Sequence, residues 1–162
     1  MPRENAAAAA RVMSGETWKK HANPWSVWTR VAAIPVFELA VWSRQWLGWW
    51  CLAAVLAVVV WLWLNVRLFK PVEPTTWAAR GIYGERLHVD GKVPAEHKTT
   101  LNWLIASGLA GFALIVWGLV VFNVWPLALG TIVVVLAQLW RIDRYSLLFE
   151  QYLREQSPGG AT

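Results

Sequence analysis

The apolar run from Val27 to Val66 is the feature that most constrains how this chain can fold. As one straight helix, its 40 residues would reach about 60 Å. That length is roughly twice the 30 Å hydrocarbon core of a bilayer. The run must therefore fold back, and its only polar break is Ser43-Arg44-Gln45. We predict two antiparallel helices, over residues 25–42 and 46–66.

The distribution of apolar residues excludes an ordinary soluble domain. Of the 162 residues, 57% are hydrophobic and 14 are Trp. A soluble domain alternates apolar and polar residues with a helical or strand period, whereas here the apolar residues form long blocks. Four Trp residues crowd the predicted tip of the first hairpin, as an interfacial aromatic belt requires; they are Trp42, Trp46, Trp49 and Trp50.

The remaining apolar blocks complete the predicted architecture. Two further spans are expected over residues 101–122 and 125–142, after a polar loop at 67–100. The last helix should continue as an interfacial end over 141–153, because its apolar residues follow a helical stripe. The predicted fold is therefore an all-α integral membrane protein. It has one domain, 23–153, with four transmembrane helices in two antiparallel hairpins, a cytoplasmic central loop and an extended C-terminal helix.

The chain ends are predicted to be mobile. Residues 1–22 form a basic N-terminus without the apolar core of a signal peptide, and residues 154–162 form a tail rich in turn residues. The single cysteine, Cys51, excludes an intrachain disulfide.

The basic residues follow the predicted topology, which argues against a nucleic-acid site despite the formal net charge of +5. Lys and Arg number five in residues 1–30, six in 67–98 and three in 141–154, against Arg44 alone in the first predicted tip. The positive-inside rule then places both termini and the central loop in the cytoplasm, across the inner (plasma) membrane. We expect the bilayer and its anionic lipid headgroups as partners, and no nucleic acid.

Three short motifs carry a resemblance to a known family. They are HANPWSVWTR (residues 21–30), NVRLFKP (65–71) and YGER (83–86). With the hairpin between the first two, they resemble a family of small prokaryotic multi-pass membrane proteins known only as a domain of unknown function. The resemblance covers about residues 17–153. It implies the four-span architecture and no chemistry.

The first candidate site is a basic cluster at the cytoplasmic membrane face. Asn23 and Pro24 fit a helix start, whose free backbone N–H groups favour anions. The candidate anion or headgroup ligands are Lys19, Lys20, Arg30, Arg67, Arg86 and Arg144. The simpler interpretation is that these cations only set the topology, with Glu85 and Asp143 as ion-pair partners.

An enzymatic alternative uses the same face. An interfacial enzyme acting on a phosphate-bearing lipid would use His21 or His97 as acid or base, with Glu85 beside His97. Arg30 or Arg86 would bind the phosphate. The three histidines, with Glu85 and Asp90, lack the spacing of a metal or haem site, so we expect no metal and no cofactor.

The second candidate site is Glu38, inside the first predicted span. At about 1.5 Å per residue it lies roughly 9 Å from the Arg44 tip. An ionisable group in hydrocarbon is costly and is expected to be protonated when no base faces it. Thr131 lies at matching depth and is the predicted partner. The two interpretations are a small transporter or channel subunit and a single interhelical hydrogen bond.

The sequence favours a non-enzymatic membrane module that binds anionic lipid headgroups or a protein partner through its basic face. A homo-oligomer is also possible, because Ser107, Gly111 and Gly118 share one face of the third span and small residues let helices approach closely.

Overall fold

The computed structural model describes residues 15–156, and within that range every regular element is a helix. The helices are α1 (Gly15–His21), α2 (Pro24–Trp42), α3 (Arg44–Leu47), α4 (Cys51–Leu68), α5 (Trp77–Val89), α6 (Ala95–Val121) and α7 (Val124–Gln156). A 3-10 turn, Gly48–Trp50, precedes α4. The predicted all-α class is confirmed.

Helices α2 and α4 form a hairpin, as the length of the apolar run requires. Asn23 caps α2 by accepting the Trp25 N–H at 3.0 Å. Pro24 follows as the first helical residue, where it needs no backbone donor. The chain reverses through α3 and through Gly48, whose φ is 53°. Ser26 of α2 and Asn65 of α4 are then in contact.

Length and hydropathy identify three candidate membrane-spanning segments among the described residues, whereas we predicted four. The segments are Pro24–Leu68, Ala95–Val121 and Val124–Arg154. The first has 45 residues and includes both α2 and α4. The predicted break at residues 43–45 does not divide it, because the break is short and leads directly into α3. The four separate spans are thus corrected to three segments, of which the first is folded back on itself.

Helices α6 and α7 form the second hairpin and share the largest interface of the structure. Phe122 ends α6 in the left-handed conformation, with φ of 52°. Asn123 then accepts the Trp125 N–H at 3.0 Å and caps α7. Helix α7 continues unbroken for 33 residues to Gln156. The predicted extension of the last helix is therefore confirmed.

The small residues of α6 serve this hairpin. A Cβ at Gly118 would lie 2.6 Å from Leu127 N, and one at Gly111 would lie 3.0 Å from Gly130 O. Ser107 is exposed. Gly111 and Gly118 therefore serve the close approach of α6 and α7 within the same chain.

Helix α5 lies in the polar connection between the hairpins. The Thr76 hydroxyl caps it by accepting the Ala79 N–H at 3.2 Å. The helix extends from Trp77 to Val89. A turn at Gly91, with φ of 72°, then leads towards α6.

Helix α5 packs against α7 through two glycines. Gly81 lies against Ile142, and Gly84 lies against the backbone of Tyr145. An added Cβ at Gly84 would overlap the Tyr145 carbonyl oxygen. This close approach explains the glycine of the YGER motif, and it fixes the position of the neighbouring Glu85.

The described part of the N-terminus is packed. Helix α1 precedes Ala22, which is fully buried in a cluster at the base of the first hairpin. The other buried members of that cluster are Val27, Ala78, Ala79, Ile82 and Ile142. This differs from the mobile segment expected over residues 1–22, of which residues 1–14 lie outside the described range. The expected tail at 154–162 lies outside it from residue 157 onward.

The substitution Gly84→Ala tests the close packing of α5 on α7. We expect a loss of about 1–3 kcal/mol or more of stability, because the helices must separate to admit the methyl group. Thermal unfolding in detergent measures the effect. Gly108→Ala is the matched control, since a Cβ there meets nothing within 4 Å. Equal unfolding temperatures for the two variants would contradict the packing.

Candidate functional site

A buried polar cluster joins the two helices of the first hairpin near its base. The Ser26 hydroxyl donates to Asn65 Oδ1 at 2.6 Å, and Asn65 Nδ2 donates to Thr29 Oγ1 at 2.7 Å. Thr29 in turn donates to the Trp25 carbonyl at 2.6 Å. Ser26 and Asn65 are fully buried. These bonds connect the HANPWSVWTR and NVRLFKP motifs and hold the hairpin closed.

The sequence motifs contain both Asn65 and Ser26, but neither residue was named there as a site residue. The available signal was the polar character of both residues within otherwise apolar spans, since polar groups in hydrocarbon need partners.

Arg30 lies one turn after Ser26 and connects α2 to α1. Its Nε donates to the Ser26 carbonyl at 2.9 Å, and Nη2 donates to the His21 carbonyl at 3.0 Å. Its Nη1 lies 3.1 Å from His21 Nδ1 and also close to Nε2. The guanidinium can only donate, so the imidazole must accept and be neutral.

The environment of His21 favours that neutral form. Burial, together with the Arg30 guanidinium beside the ring, lowers the pKa of His21 from the ordinary 6.5 to about 4. The ring is therefore uncharged at neutral pH, and it contributes no positive charge to the site.

Arg30 and His21 line a cavity of about 210 Å³ between three parts of the chain. The start of α2, the middle of α5 and the middle of α7 enclose it. Its polar lining consists of His21, Arg30, Glu85, Gln138 and Arg141. Its apolar lining consists of Val27, Val31, Ile34, Ile82 and Ile142. The motif residues thus meet the central loop and the last helix in one cavity.

Two of the polar lining residues, Gln138 and Arg141, were missed as site residues. They lie one helical turn apart on α7, and Arg141 Nη2 donates to Gln138 Oε1 at 2.6 Å. The sequence feature that could have identified them is the position of Arg141 at the end of the last predicted span, level with Arg30.

Two arginine side chains line the same cavity. Arg30 and Arg141 both line it, and guanidinium groups bind phosphate and carboxylate oxygens in bidentate geometry. Each retains N–H groups beyond those used in its bonds within the protein. The arrangement can hold an anionic group at the boundary between the polar loop and the apolar helices.

The other candidate cations lie outside this cavity. Lys19 pairs with Glu73 at 3.3 Å, and Arg144 pairs with Asp143 at 3.4 Å. Arg67 lies over the Trp63 ring at 3.9 Å and donates to the Trp63 carbonyl. Lys20 and Arg86 are partly buried and are not among the residues that line the cavity.

The structure does not bring the histidines together. His97 Nε2 faces Glu96 at 3.6 Å, and the His88 ring lies 5.6 Å from the Tyr145 ring. Within residues 15–156, no three His, Cys, Asp or Glu side chains form a group that could hold a metal ion. No hydrogen bond joins His97 to Glu85 among the described residues, so the pair required by the enzymatic alternative is not formed.

Glu38 and Thr131 form a separate polar pair near the opposite end of the hairpins. Thr131 Oγ1 lies 2.6 Å from Glu38 Oε2, as predicted from the matching depth of the two residues in their helices. Glu38 is buried and lines an apolar groove of about 550 Å³ between α2 and the start of α7. Thr131 also lies 2.8 Å from the Leu127 carbonyl.

A family model matches residues 3–161, which is nearly the whole chain. The chain belongs to DUF6653, a family of unknown function. The predicted relation to a family of unknown function is confirmed. No curated protein and no solved structure matches the chain. Membership of DUF6653 supplies no chemistry, so function must be argued from the cavity.

The shifted pKa of His21 predicts a pH-dependent stability for this DUF6653 member. The folded-state pKa of about 4 lies below the ordinary 6.5. Between these values the unfolded chain binds a proton that the folded chain does not. Stability should therefore be complete above pH 6.5 and fall as the pH drops towards 4, by up to about 3 kcal/mol. The measurement is denaturant unfolding of the wild type and of His21→Asn across this range. Parallel pH profiles for the two proteins would contradict the assignment.

Proposed function

We propose that this protein is an integral membrane protein that binds the phosphate group of a lipid headgroup in the cavity between Arg30 and Arg141. The observation that carries the proposal is the pair of guanidinium groups lining one small cavity where the apolar helices meet the polar loop. In this proposal the segment Pro24–Leu68 crosses the membrane twice, giving four spans. Both termini and the central loop lie on the cytoplasmic side of the inner membrane.

The surface of the hairpins supports a membrane location. Large apolar side chains face outwards along their helices, among them Trp49 with 87% and Trp63 with 59% of their surface exposed. Apolar patches on this scale are rare on soluble monomers. The folding back of α4 along α2 supports a double crossing, since each helix alone is close to the length of one span.

The shape of the cavity supports a lipid as the ligand. Val27, Val31 and Ile34 follow one face of α2 at helical spacing and lead from the polar end of the cavity towards the apolar part of the hairpin. A ligand with a phosphate at Arg30 would therefore lay an apolar portion along Val31 and Ile34. A volume of about 210 Å³ suits a headgroup and its glycerol unit rather than a whole drug-sized molecule.

The two arginines give a direct test of headgroup binding. Arg141→Gln should weaken the binding of phosphatidylglycerol and phosphatidylethanolamine about tenfold, the equivalent of about 1.4 kcal/mol. Native mass spectrometry of the protein in detergent, titrated with each lipid, measures the retained fraction. Arg30→Lys should also weaken binding, because an ammonium group cannot make the bidentate contact.

Arg67→Gln is the matched control for charge. Arg67 is exposed and lies outside the cavity, so this variant removes the same charge while the cavity stays intact. Its lipid binding should stay within about twofold of the wild type. Equal losses for Arg67→Gln and Arg141→Gln would show non-specific attraction and refute the proposal.

The double crossing of Pro24–Leu68 predicts opposite locations for its tip and for the central loop. In a Cys51→Ser background, Trp49→Cys should react with a membrane-impermeant maleimide in intact cells. Asp90→Cys should react only after permeabilisation. Both positions are exposed, so reactivity reports sidedness. Labelling of both variants in intact cells would contradict the proposed topology.

A further inference from the structure

The cavity contains an acidic group that an anion site does not need. Glu85 lines the same cavity as Arg30 and Arg141. Helix α5 brings it there because Gly84 seats that helix directly on the α7 backbone. A carboxylate beside a bound phosphate repels it, so Glu85 requires a separate explanation.

The Glu85 carboxylate forms no bond of its own within the described part of the chain. Three other acidic side chains of the described residues are paired with a cation within 4.0 Å, whereas Glu85, like Asp90 and Glu38, is not: Glu73 pairs with Lys19, Asp143 with Arg144, and Glu150 with Arg80. Among residues 15–156, Glu85 makes no such ion pair and no side-chain hydrogen bond, although Arg30 lines the same cavity. Its oxygens remain available to a donor that enters the cavity.

Arg30 is near enough to Glu85 for their charges to interact, but the bonds that orient Arg30 are made to other groups. Its Nε and Nη2 donate to the carbonyls of Ser26 and His21, and its Nη1 faces the neutral His21 ring. Arg141 is likewise oriented by Gln138. The cavity of about 210 Å³ therefore presents two cationic groups that are oriented by bonds within the chain, and one anionic group that is bonded to neither.

We propose that the cavity selects a zwitterionic headgroup, with a phosphate at Arg30 and Arg141 and a primary ammonium donating to Glu85. This inference rests on the proposed function and names its ligand class: a phospholipid of the phosphoethanolamine type. An ammonium with N–H groups makes charge-assisted hydrogen bonds to a carboxylate. A trimethylated ammonium of the same charge has no N–H group and cannot make them.

The pair of lipids that differ only at this amine provides the test. Phosphatidylethanolamine and phosphatidylcholine carry the same net charge and can be prepared with identical acyl chains. The wild-type protein in detergent should bind phosphatidylethanolamine about tenfold more tightly, as measured by native mass spectrometry with both lipids in competition. Glu85→Gln should reduce this preference to within about twofold, because the amide is uncharged.

Two controls separate this inference from the proposed function. Phosphatidylglycerol has no amine, so Glu85→Gln should bind it at least as tightly as the wild type does, which also verifies that the variant is folded. Glu96→Gln removes an exposed carboxylate outside the cavity and should leave the preference unchanged. If Glu85→Gln does not fold, Glu85→Asp keeps the charge, and an intermediate preference is expected from its shorter reach.

The outcomes are distinct. An unchanged preference in Glu85→Gln, or no preference in the wild type, overturns the zwitterion inference while the arginine variants still test phosphate binding. Loss of phosphatidylglycerol binding in Glu85→Gln also overturns it, because the carboxylate would then act on the fold. Water-soluble glycerophosphoethanolamine should bind at least tenfold more weakly than the lipid, since it cannot use Val31 and Ile34. Equal binding of the two would assign the site to a soluble ligand and overturn the lipid class.

Discussion

The arrangement of this protein depends on the need of buried polar groups for partners within the chain. Asn65 meets that need on α4 by bonding to Ser26 and Thr29 of α2, and no solvent in hydrocarbon could replace those bonds. These two bonds fix how α4 lies along α2. They also fix the position of the start of α2, where Arg30 follows Thr29 and its side chain contacts α1.

A second constraint, close backbone approach, places the other half of the cavity. Gly84 lets α5 lie directly on α7, so that Glu85 of the loop and Arg141 of the last helix reach the space beside Arg30. The cavity is therefore formed by two independent packing solutions, a polar one within the first hairpin and a steric one between α5 and α7. Neither hairpin alone contains the site.

Much of the fold followed from sequence, for identifiable reasons. The 40-residue apolar run had to reverse because its helical length exceeds what a bilayer or a domain core accommodates. Asn23 and Pro24 fixed a helix start, and matching depth identified Thr131 as the partner of Glu38. Length and hydropathy give three candidate segments in place of the four predicted spans, because Ser43–Gln45 is too short a break to divide Pro24–Leu68. The prediction for Gly111 and Gly118 was incomplete, because a face of small residues does not reveal which helix packs against it.

The sequence by itself determined that the chain is helical and that its apolar blocks pair as hairpins. Those properties depend on local composition and spacing. Only the tertiary structure decided that Arg30 and Arg141 share a cavity with Glu85, whereas Lys19, Arg67 and Arg144 are engaged elsewhere. Residues 30, 85 and 141 are far apart in the chain. Their meeting depends on Gly84 and Asn65, whose contacts with other helices leave no periodic signal in the sequence.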